Sequence, residues 1–189
     1  MDSNNILPPI LDRISSVCFS EQSIDKKVVE TLFESARWAP SAFNYQPWRF
    51  IYALKKDGPE YEKICSLLLE GNRMWAEKAP LLILSIASLI SDYTKKENFY
   101  ATHDTGLATA NLLIQAVSMG LQVHPMAGFD KEKAKTELNI PNYFEPVAMI
   151  AVGYKGDINE LPDELKSRET KPRIRKEQKE FVFKGSWER

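Results

Sequence analysis

The sequence is poor in the residues and motifs on which several common functional sites depend. Of its 189 residues, 8 are glycine, 2 are cysteine and 2 are histidine. It contains no G-x-G-x-x-G stretch, P-loop or G-x-S-x-G elbow, which argues against a Rossmann dinucleotide site, a P-loop nucleotide site and a serine hydrolase of that type. Cys18 and Cys65 have neither metal-ligand nor redox spacing, so we expect free thiols in a reducing compartment and no metal site.

An excess of charge and a long apolar run are also lacking. The net charge of -1 gives no general attraction to nucleic acid or to an acidic membrane surface. The longest apolar run, residues 79–90, is too short to span a bilayer and predicts a buried strand. The first five residues lack the basic and apolar regions of a secretory signal. We therefore expect a cytoplasmic protein with no nucleic-acid or membrane partner.

Length and periodicity predict a single α+β domain over residues 1–189. Strand patterns occur in four places, at residues 48–54, 81–87, 121–124 and 146–154. Helical patterns cover residues 8–14, a stretch from Ser23 or Asp25 to Ala39, a stretch through Tyr61 that ends at Gly71-Asn72-Arg73, residues 98–119, and a stretch that begins after Asp130. Residues 155–171 are polar and contain proline, so we expect a connector there.

The loop between the second helix and the first strand is rich in polar, planar side chains. It reads Pro-Ser-Ala-Phe-Asn-Tyr-Gln-Pro-Trp from Pro40 to Trp48. Ser41, Asn44 and Gln46 carry donors and acceptors, and the prolines restrict the backbone, so a planar heterocycle with a polar rim would suit this loop. Ordinary turn chemistry explains the same residues equally well.

Two pairs of residues could bind an anion. Arg13 and Ser15 share one side of an extended segment, as do Arg173 and Arg175. Guanidinium groups bind phosphate oxygens in a forked geometry, although basic residues near a terminus are more often simply solvated. The residues after the second pair, 180–184, are β-prone and aromatic, so we expect this tail to dock rather than to be disordered.

These segments together resemble the nitroreductase family over nearly the whole chain. The sequence motif A-P-S-x-x-N-x-Q-P-W at residues 39–48 is the most specific match. The motif R-x-R at residues 173–175 is similar to the family's phosphate-binding motif. The turn P-x-x-G-F-D at residues 125–130 resembles the one whose backbone N–H contacts the flavin N5. Three positions depart from the family pattern: Ile14 and Val17, where basic or polar residues are usual, and Ala127, where glutamate is common.

The resemblance implies a nitroreductase-like fold, with helices around a mainly antiparallel sheet, in an obligate homodimer. It implies that the C-terminal strand is exchanged between the subunits and that one FMN lies at each side of the interface. The loop of one subunit and the arginines of the other would then share each cofactor. The implied cofactor-binding residues are Arg13, Ile14, Ser15, Pro40, Ser41, Ala42, Asn44, Gln46, Pro125, Met126, Ala127, Gly128, Arg173 and Arg175.

The implied activity is the reduction of nitroaromatic, quinone-like or related small molecules by NAD(P)H in a ping-pong mechanism. The flavin performs the hydride chemistry, so no side chain is expected to be catalytic. Two alternatives stay open. One is another flavin redox reaction on the same fold, such as enoate reduction, dehalogenation or dehydrogenation. The other is a non-enzymatic FMN-binding protein, which the loss of a basic residue at Val17 would favour.

Overall fold

Four strands form an antiparallel sheet at the centre of the molecule. In a computed structural model, which describes residues 5–187, they are β1 (Trp48–Leu54), β2 (Leu81–Ser88), β3 (Gln122–Met126) and β4 (Phe144–Gly153). Their spatial order is β1-β2-β4-β3, and each neighbouring pair is antiparallel. This confirms the predicted α+β fold, and it places the apolar strand β2 inside the sheet.

Helices cover both faces of this sheet. Within residues 5–187 they are α1 (Pro8–Asp12), α2 (Lys26–Arg37), α3 (Pro59–Cys65), α4 (Glu70–Ala76), α5 (Ala101–Ser118), α6 (Lys131–Glu137) and α7 (Asp163–Thr170). Short 3-10 turns occur at Ala42–Asn44, Lys55–Asp57, Ile158–Glu160 and Gln178–Glu180. None of the helices in this part of the chain is both long and apolar enough to cross a membrane. The expectation of no secretory signal concerns the first residues, of which 1–4 lie outside the described part.

The alternation of side chains along β2 explains its continuous apolar sequence. Successive residues of a strand point to opposite faces of a sheet. Leu82 and Leu84 pack into the cluster that contains Trp75, whereas Leu81 and Ile83 pack against α2 and α5 in a second cluster. Both faces of β2 are therefore buried, and neither face tolerates a regular polar alternation.

The predicted helix starts and the predicted long helix are confirmed. The carboxylate of Asp25 accepts a hydrogen bond from the Lys27 N–H at 2.7 Å and begins α2. Asp130 accepts one from the Lys133 N–H at 2.9 Å and begins α6. Helix α5 is followed by Gly120, whose φ of 78° lies in the left-handed region that favours glycine at a helix end.

Two helix boundaries differ from the prediction. Helix α1 ends at Asp12 rather than at residue 14, because the backbone of Arg13 is already extended. The helix through Tyr61 ends already at Cys65, and Gly71-Asn72-Arg73, predicted to end it, lies inside a separate helix, α4, that begins at Glu70. The buried Trp75 anchors this helix, and its indole N–H donates to the Gly71 carbonyl at 3.1 Å. Packing of a large aromatic side chain thus outweighs the poor helix propensity of one glycine, about 1 kcal/mol.

The predicted connector at residues 155–171 was wrong in part, because it contains helix α7. Leu161 and Leu165 are buried in the cluster that includes Trp75. Leu165 belongs to α7 and Leu161 lies just before it, so the short helix is held by these two contacts, although its sequence is mostly polar.

The described tail after α7 forms no strand in this single chain. Residues 171–177 have no regular secondary structure, and Gln178–Glu180 forms a 3-10 turn. Phe181, Val182 and Trp187 are exposed. A β-strand needs a neighbouring strand for its backbone hydrogen bonds, and this chain offers residues 180–184 none. Exchange of this segment with a second subunit stays a prediction.

Candidate functional site

Arginines from the two ends of the chain meet beside the sheet. The Arg173 guanidinium donates to the Arg13 carbonyl at 2.8 Å, and the Arg13 guanidinium approaches the Ser15 hydroxyl oxygen at 3.4 Å. Arg175 lies close enough to act on Arg13 electrostatically. We call Arg13, Ser15, Arg173 and Arg175 the arginine clamp. The structure thus brings the two predicted anion-binding pairs together within one chain.

The clamp concentrates positive charge without a carboxylate counter-charge. Burial lowers the pKa of Arg13, and the positive charges of Arg175 and Arg173 lower it further. Within residues 5–187, none of these three arginines forms a salt bridge. An anion placed among them would relieve this repulsion, and a phosphate offers oxygens that suit several guanidinium groups.

The N-terminal half of the clamp is positioned by the edge strand β3. The extended backbone after α1 lets Ser15 pair in parallel with Val123 of β3. Ile14, which lies between Arg13 and Ser15, lines a different space, a cavity of about 250 Å³ shared with Cys18 and Glu169. Val17 is buried in the core, so its side chain does not contribute to the clamp.

The turn Pro125–Gly128 continues directly from β3, so it lies on the same side of the sheet as the clamp. Pro125 and Met126 are the last two residues of β3 and pair with β4. Ala127 is exposed, and within residues 5–187 the Gly128 N–H donates no hydrogen bond. This turn can therefore present a backbone donor to a ligand.

Gly128 is required by a neighbouring side chain. A Cβ added at Gly128 would lie 2.5 Å from Nδ2 of Asn72, which itself donates to the Gly128 carbonyl at 3.0 Å. In the structure, the room that a Cβ would need is taken by Asn72, so the glycine fixes the turn against α4.

The loop Pro40–Gln46 has an unusual backbone. Phe43, Asn44 and Gln46 have φ values of 51°, 57° and 48°, in a region that residues other than glycine seldom adopt. Such residues cost of order 1–3 kcal/mol each and persist only where the surroundings hold them. Inside the loop, the Ser41 hydroxyl accepts from the Gln46 N–H at 3.0 Å.

A buried carboxylate of α5 holds this loop from outside. Oδ2 of Asp104 accepts a hydrogen bond from the Ala42 N–H at 2.9 Å, and Oδ1 lies 2.8 Å from Nδ1 of His103. The Asp104 side chain is only 3% exposed. Sequence reasoning misses this contact with the loop, because only the tertiary fold brings position 42 to position 104.

The loop and the clamp lie at opposite edges of the sheet. The loop leads into β1, whereas Ser15 lies beside β3, and β2 and β4 separate these two strands. Neighbouring strands are about 4.8 Å apart, so four steps between β1 and the Ser15 segment amount to about 19 Å. The structure therefore gathers the clamp and the turn Pro125–Gly128 on one side and leaves the loop apart from them.

Exposed aromatic side chains extend from the loop. The rings of Phe43 and Tyr45 are 5.4 Å apart, and those of Tyr45 and Tyr93 are stacked at 6.2 Å. Phe43 and Tyr93 are 84% and 71% exposed. This row gives the loop side of the molecule a surface on which planar molecules can stack.

Fold and site together define an α+β protein with a cationic site suited to a phosphate group. A family model described as the nitroreductase family matches residues 10–81 and 54–154. A 15.4 kDa protein of Mycolicibacterium smegmatis is 36% identical over 127 residues, which cover 67% of this chain and 84% of that protein. The chain belongs to the nitroreductase family.

Further relatives agree in sequence and in fold. MhqN of Bacillus subtilis, named provisionally as an NAD(P)H nitroreductase, is 29% identical over 172 residues, which cover 75% of this chain and 84% of that protein. A crystal structure described as an oxidoreductase containing FMN is 34% identical with a TM-score of 0.92, covering 100% of this chain and 96% of that one. A nitroreductase family protein of Clostridium difficile 630, 23% identical with a TM-score of 0.70, shares the fold over 95% of this chain and 97% of that one.

Proposed function

We propose that this protein is a cytoplasmic FMN-dependent oxidoreductase that uses NAD(P)H to reduce nitroaromatic, quinone-like or related small molecules in a ping-pong mechanism. The observation that carries the proposal is the meeting of Arg13, Arg173 and Arg175 without a carboxylate partner. The family membership and the FMN in a structure of 34% identity support the choice of cofactor. MhqN and its relatives support NAD(P)H as the donor.

The chain's own residues have separate roles in this proposal. The clamp binds the FMN phosphate, because two to three guanidinium groups match its charge and its oxygens. Asn44 and Gln46 offer amide groups to the rim of the isoalloxazine, and the Gly128 N–H offers a donor to its central part. Bound FMN supplies the transfer of electrons from NAD(P)H to the acceptor. The aromatic row beside the loop would orient a planar acceptor.

The proposal includes a homodimer with FMN at the interface. A site that needs both the loop and the clamp is served better by two chains, because about 19 Å of sheet separates the two in one chain. The exposed Phe181, Val182 and Trp187 would be covered when the C-terminal segment crosses onto the sister sheet. In this arrangement the loop of one subunit faces the clamp of the other, and residues 1–189 act as one domain in each subunit.

The proposal is tested by an absorbance spectrum of the purified protein, before and after anaerobic addition of NADPH and then of NADH. We expect flavin bands that bleach with at least one donor and return when a quinone or nitroaromatic acceptor is added. A protein that stays colourless and does not take up added FMN would contradict the cofactor. Bound flavin that neither donor reduces would contradict the enzyme and favour an FMN-binding protein.

A further inference from the structure

Glu169, near the end of α7, binds Ser16 and Val17, the residues that directly follow the clamp residues Arg13 and Ser15 in the chain. Its Oε1 accepts a hydrogen bond from the Ser16 hydroxyl at 2.9 Å, and its Oε2 accepts one from the Val17 N–H at 2.7 Å. Ser16 and Val17 are buried, so neither group can exchange this partner for bulk water. Because each oxygen of this carboxylate accepts a hydrogen bond, the carboxylate has one defined orientation relative to Ser16 and Val17.

The same helix also leads into the second half of the clamp. Helix α7 ends at Thr170, three residues before Arg173, and Arg173 returns to donate to the Arg13 carbonyl. Segment 13–17 is therefore tied to the C-terminal segment at two levels, by Glu169 at Ser16 and Val17 and by Arg173 at Arg13. Loss of Glu169 would leave only the second contact, which is made by an exposed side chain.

We propose that Glu169 is a positioning residue for the arginine clamp: it sets the place and direction of Arg13 and Ser15 relative to Arg173 and Arg175. This inference rests on the proposed function, since it assumes that the clamp binds the phosphate of FMN. Glu169 forms no salt bridge with the clamp arginines among the described residues, so it organises the cationic site without neutralising it.

Positioning and charge make opposite predictions for this residue. A carboxylate close to an anion site repels the anion, so removal of its charge alone would strengthen FMN binding. If Glu169 acts by positioning, removal of its hydrogen bonds would weaken FMN binding. Glu169→Gln removes the charge but keeps an oxygen that can accept from the Val17 N–H, whereas Glu169→Ala removes both. The two substitutions therefore separate the two effects.

The experiment compares FMN affinity, measured by quenching of flavin fluorescence on addition to apoprotein, in the wild type and three variants. Glu169→Ala removes both of these hydrogen bonds. We expect it to weaken FMN binding by about 10-fold, a loss comparable to that of one charge-assisted hydrogen bond. We expect Glu169→Gln to bind FMN as well as the wild type or more tightly. Glu164→Ala is the matched control, because Glu164 is exposed on the same helix, and it should bind FMN like the wild type.

Amide hydrogen exchange of residues 14–18 gives a readout that does not need FMN. Exchange of the Val17 N–H should be at least 10-fold faster in Glu169→Ala than in Glu164→Ala, with Glu169→Gln close to the wild type. Equal FMN affinity of Glu169→Ala and the wild type would overturn the inference, as would unchanged exchange at Val17. If Glu169→Ala does not fold, Ser16→Ala removes one of the two contacts and must weaken FMN binding. A wild type that binds no FMN would instead overturn the proposed function.

Discussion

The loop Pro40–Gln46 and the arginine clamp are built in opposite ways. The loop is one continuous stretch with unfavourable backbone angles, shaped by bonds among its own residues and held by one buried carboxylate. The clamp joins Arg13 and Arg173, which are 160 positions apart in the chain, and its side chains in the C-terminal segment are exposed. Damage to the loop should therefore affect both stability and binding, whereas damage to the C-terminal arginines should affect binding alone.

The largest effect on FMN binding is expected from the clamp. The double substitution Arg173→Ala and Arg175→Ala removes two charged donors, each worth about 1.5–3 kcal/mol, so FMN should bind at least about 100-fold more weakly. The melting temperature of the apoprotein should change little, because both side chains are exposed. Fluorescence titration and thermal melting measure the two quantities.

A matched control removes the same amount of positive charge from the C-terminal segment without changing the clamp arginines. The double substitution Lys171→Ala and Lys176→Ala also removes two positive charges from the exposed C-terminal segment. It should weaken FMN binding only slightly, through long-range electrostatics. Equal losses in the two double variants would mean that general charge, rather than the clamp geometry, attracts the cofactor.

Damage to the loop should lower both the stability of the protein and its affinity for FMN. Asp104→Ala removes the acceptor of the Ala42 N–H in a buried place, so we expect the free energy of unfolding to fall by about 2 kcal/mol and FMN to bind about 10-fold more weakly. Asp104→Asn keeps an oxygen that can accept this bond and should lose less of both. Denaturant unfolding and FMN titration of the two variants would refute the role of Asp104 if Ala and Asn behave alike.

Damage to the turn Pro125–Gly128, on the clamp's side of the sheet, is expected to lower stability. Gly128→Ala would place its methyl group against Nδ2 of Asn72, so this amide must shift and give up its hydrogen bond to the Gly128 carbonyl, at a cost of about 0.5–1.5 kcal/mol. In a chain that also carries Asn72→Ala, the same substitution should cost less, because the obstructing amide is gone. A double-mutant cycle by denaturant unfolding measures the difference, and strict additivity would show that Asn72 is not the obstacle.

The smallest effect is the pH dependence of His124, which packs between the clamp's first half and Trp75. Its Nδ1 lies 2.8 Å from the Ser16 carbonyl oxygen, and its ring stacks on Trp75 at 4.4 Å. Burial, above all, lowers the pKa of His124; the charges of Arg168 and Arg13 lower it further, while the Ser16 carbonyl and Glu169 act in the opposite direction.

The sign of this dependence follows from the unfolded state binding the proton more readily. Burial of neutral His124 contributes fully to the free energy of unfolding above the pKa of the unfolded histidine, about 6.5. This contribution is lost as the pH falls from there towards the lower pKa of His124 in the folded state. Between about pH 7 and pH 5 the melting temperature of the wild type should therefore fall more than that of His124→Asn. Parallel curves for the two proteins would contradict this assignment.

Much of the fold could be predicted from the sequence, because its signals are local. Strand β1 was predicted with its observed bounds, and Asp25 and Asp130 begin helices as expected. Helix α7 was missed, since its sequence is polar except for Leu165, the leucine by which it docks. Gly71 suggested the end of the helix through Tyr61, but that helix ends at Cys65, and a separate helix, α4, begins at Glu70 and is anchored by the buried Trp75.

In the candidate site, too, the features with local sequence signals could be predicted and those that depend on long-range contacts could not. The loop and the arginine pairs could be named from residue types and spacing, and the structure adds how Arg13 meets Arg173. Asp104, Asn72 and Glu169 could not be found in this way, because each acts on a segment that is distant in sequence. Their partners are backbone groups, which every residue has, so no pairing signal appears in the residue types.

The most direct test of the account asks whether one FMN site is shared by two chains. A chain with Arg173→Ala and Arg175→Ala is co-expressed with a chain carrying Asp104→Ala and Asn44→Ala, under different affinity tags, and the mixed dimer is purified through both tags. A shared site leaves one complete site and one doubly damaged site, so the mixed dimer should bind about one FMN tightly, whereas both parent homodimers bind weakly. Weak binding by the mixed dimer as well would contradict the account, because loop and clamp would then serve the same cofactor from one chain.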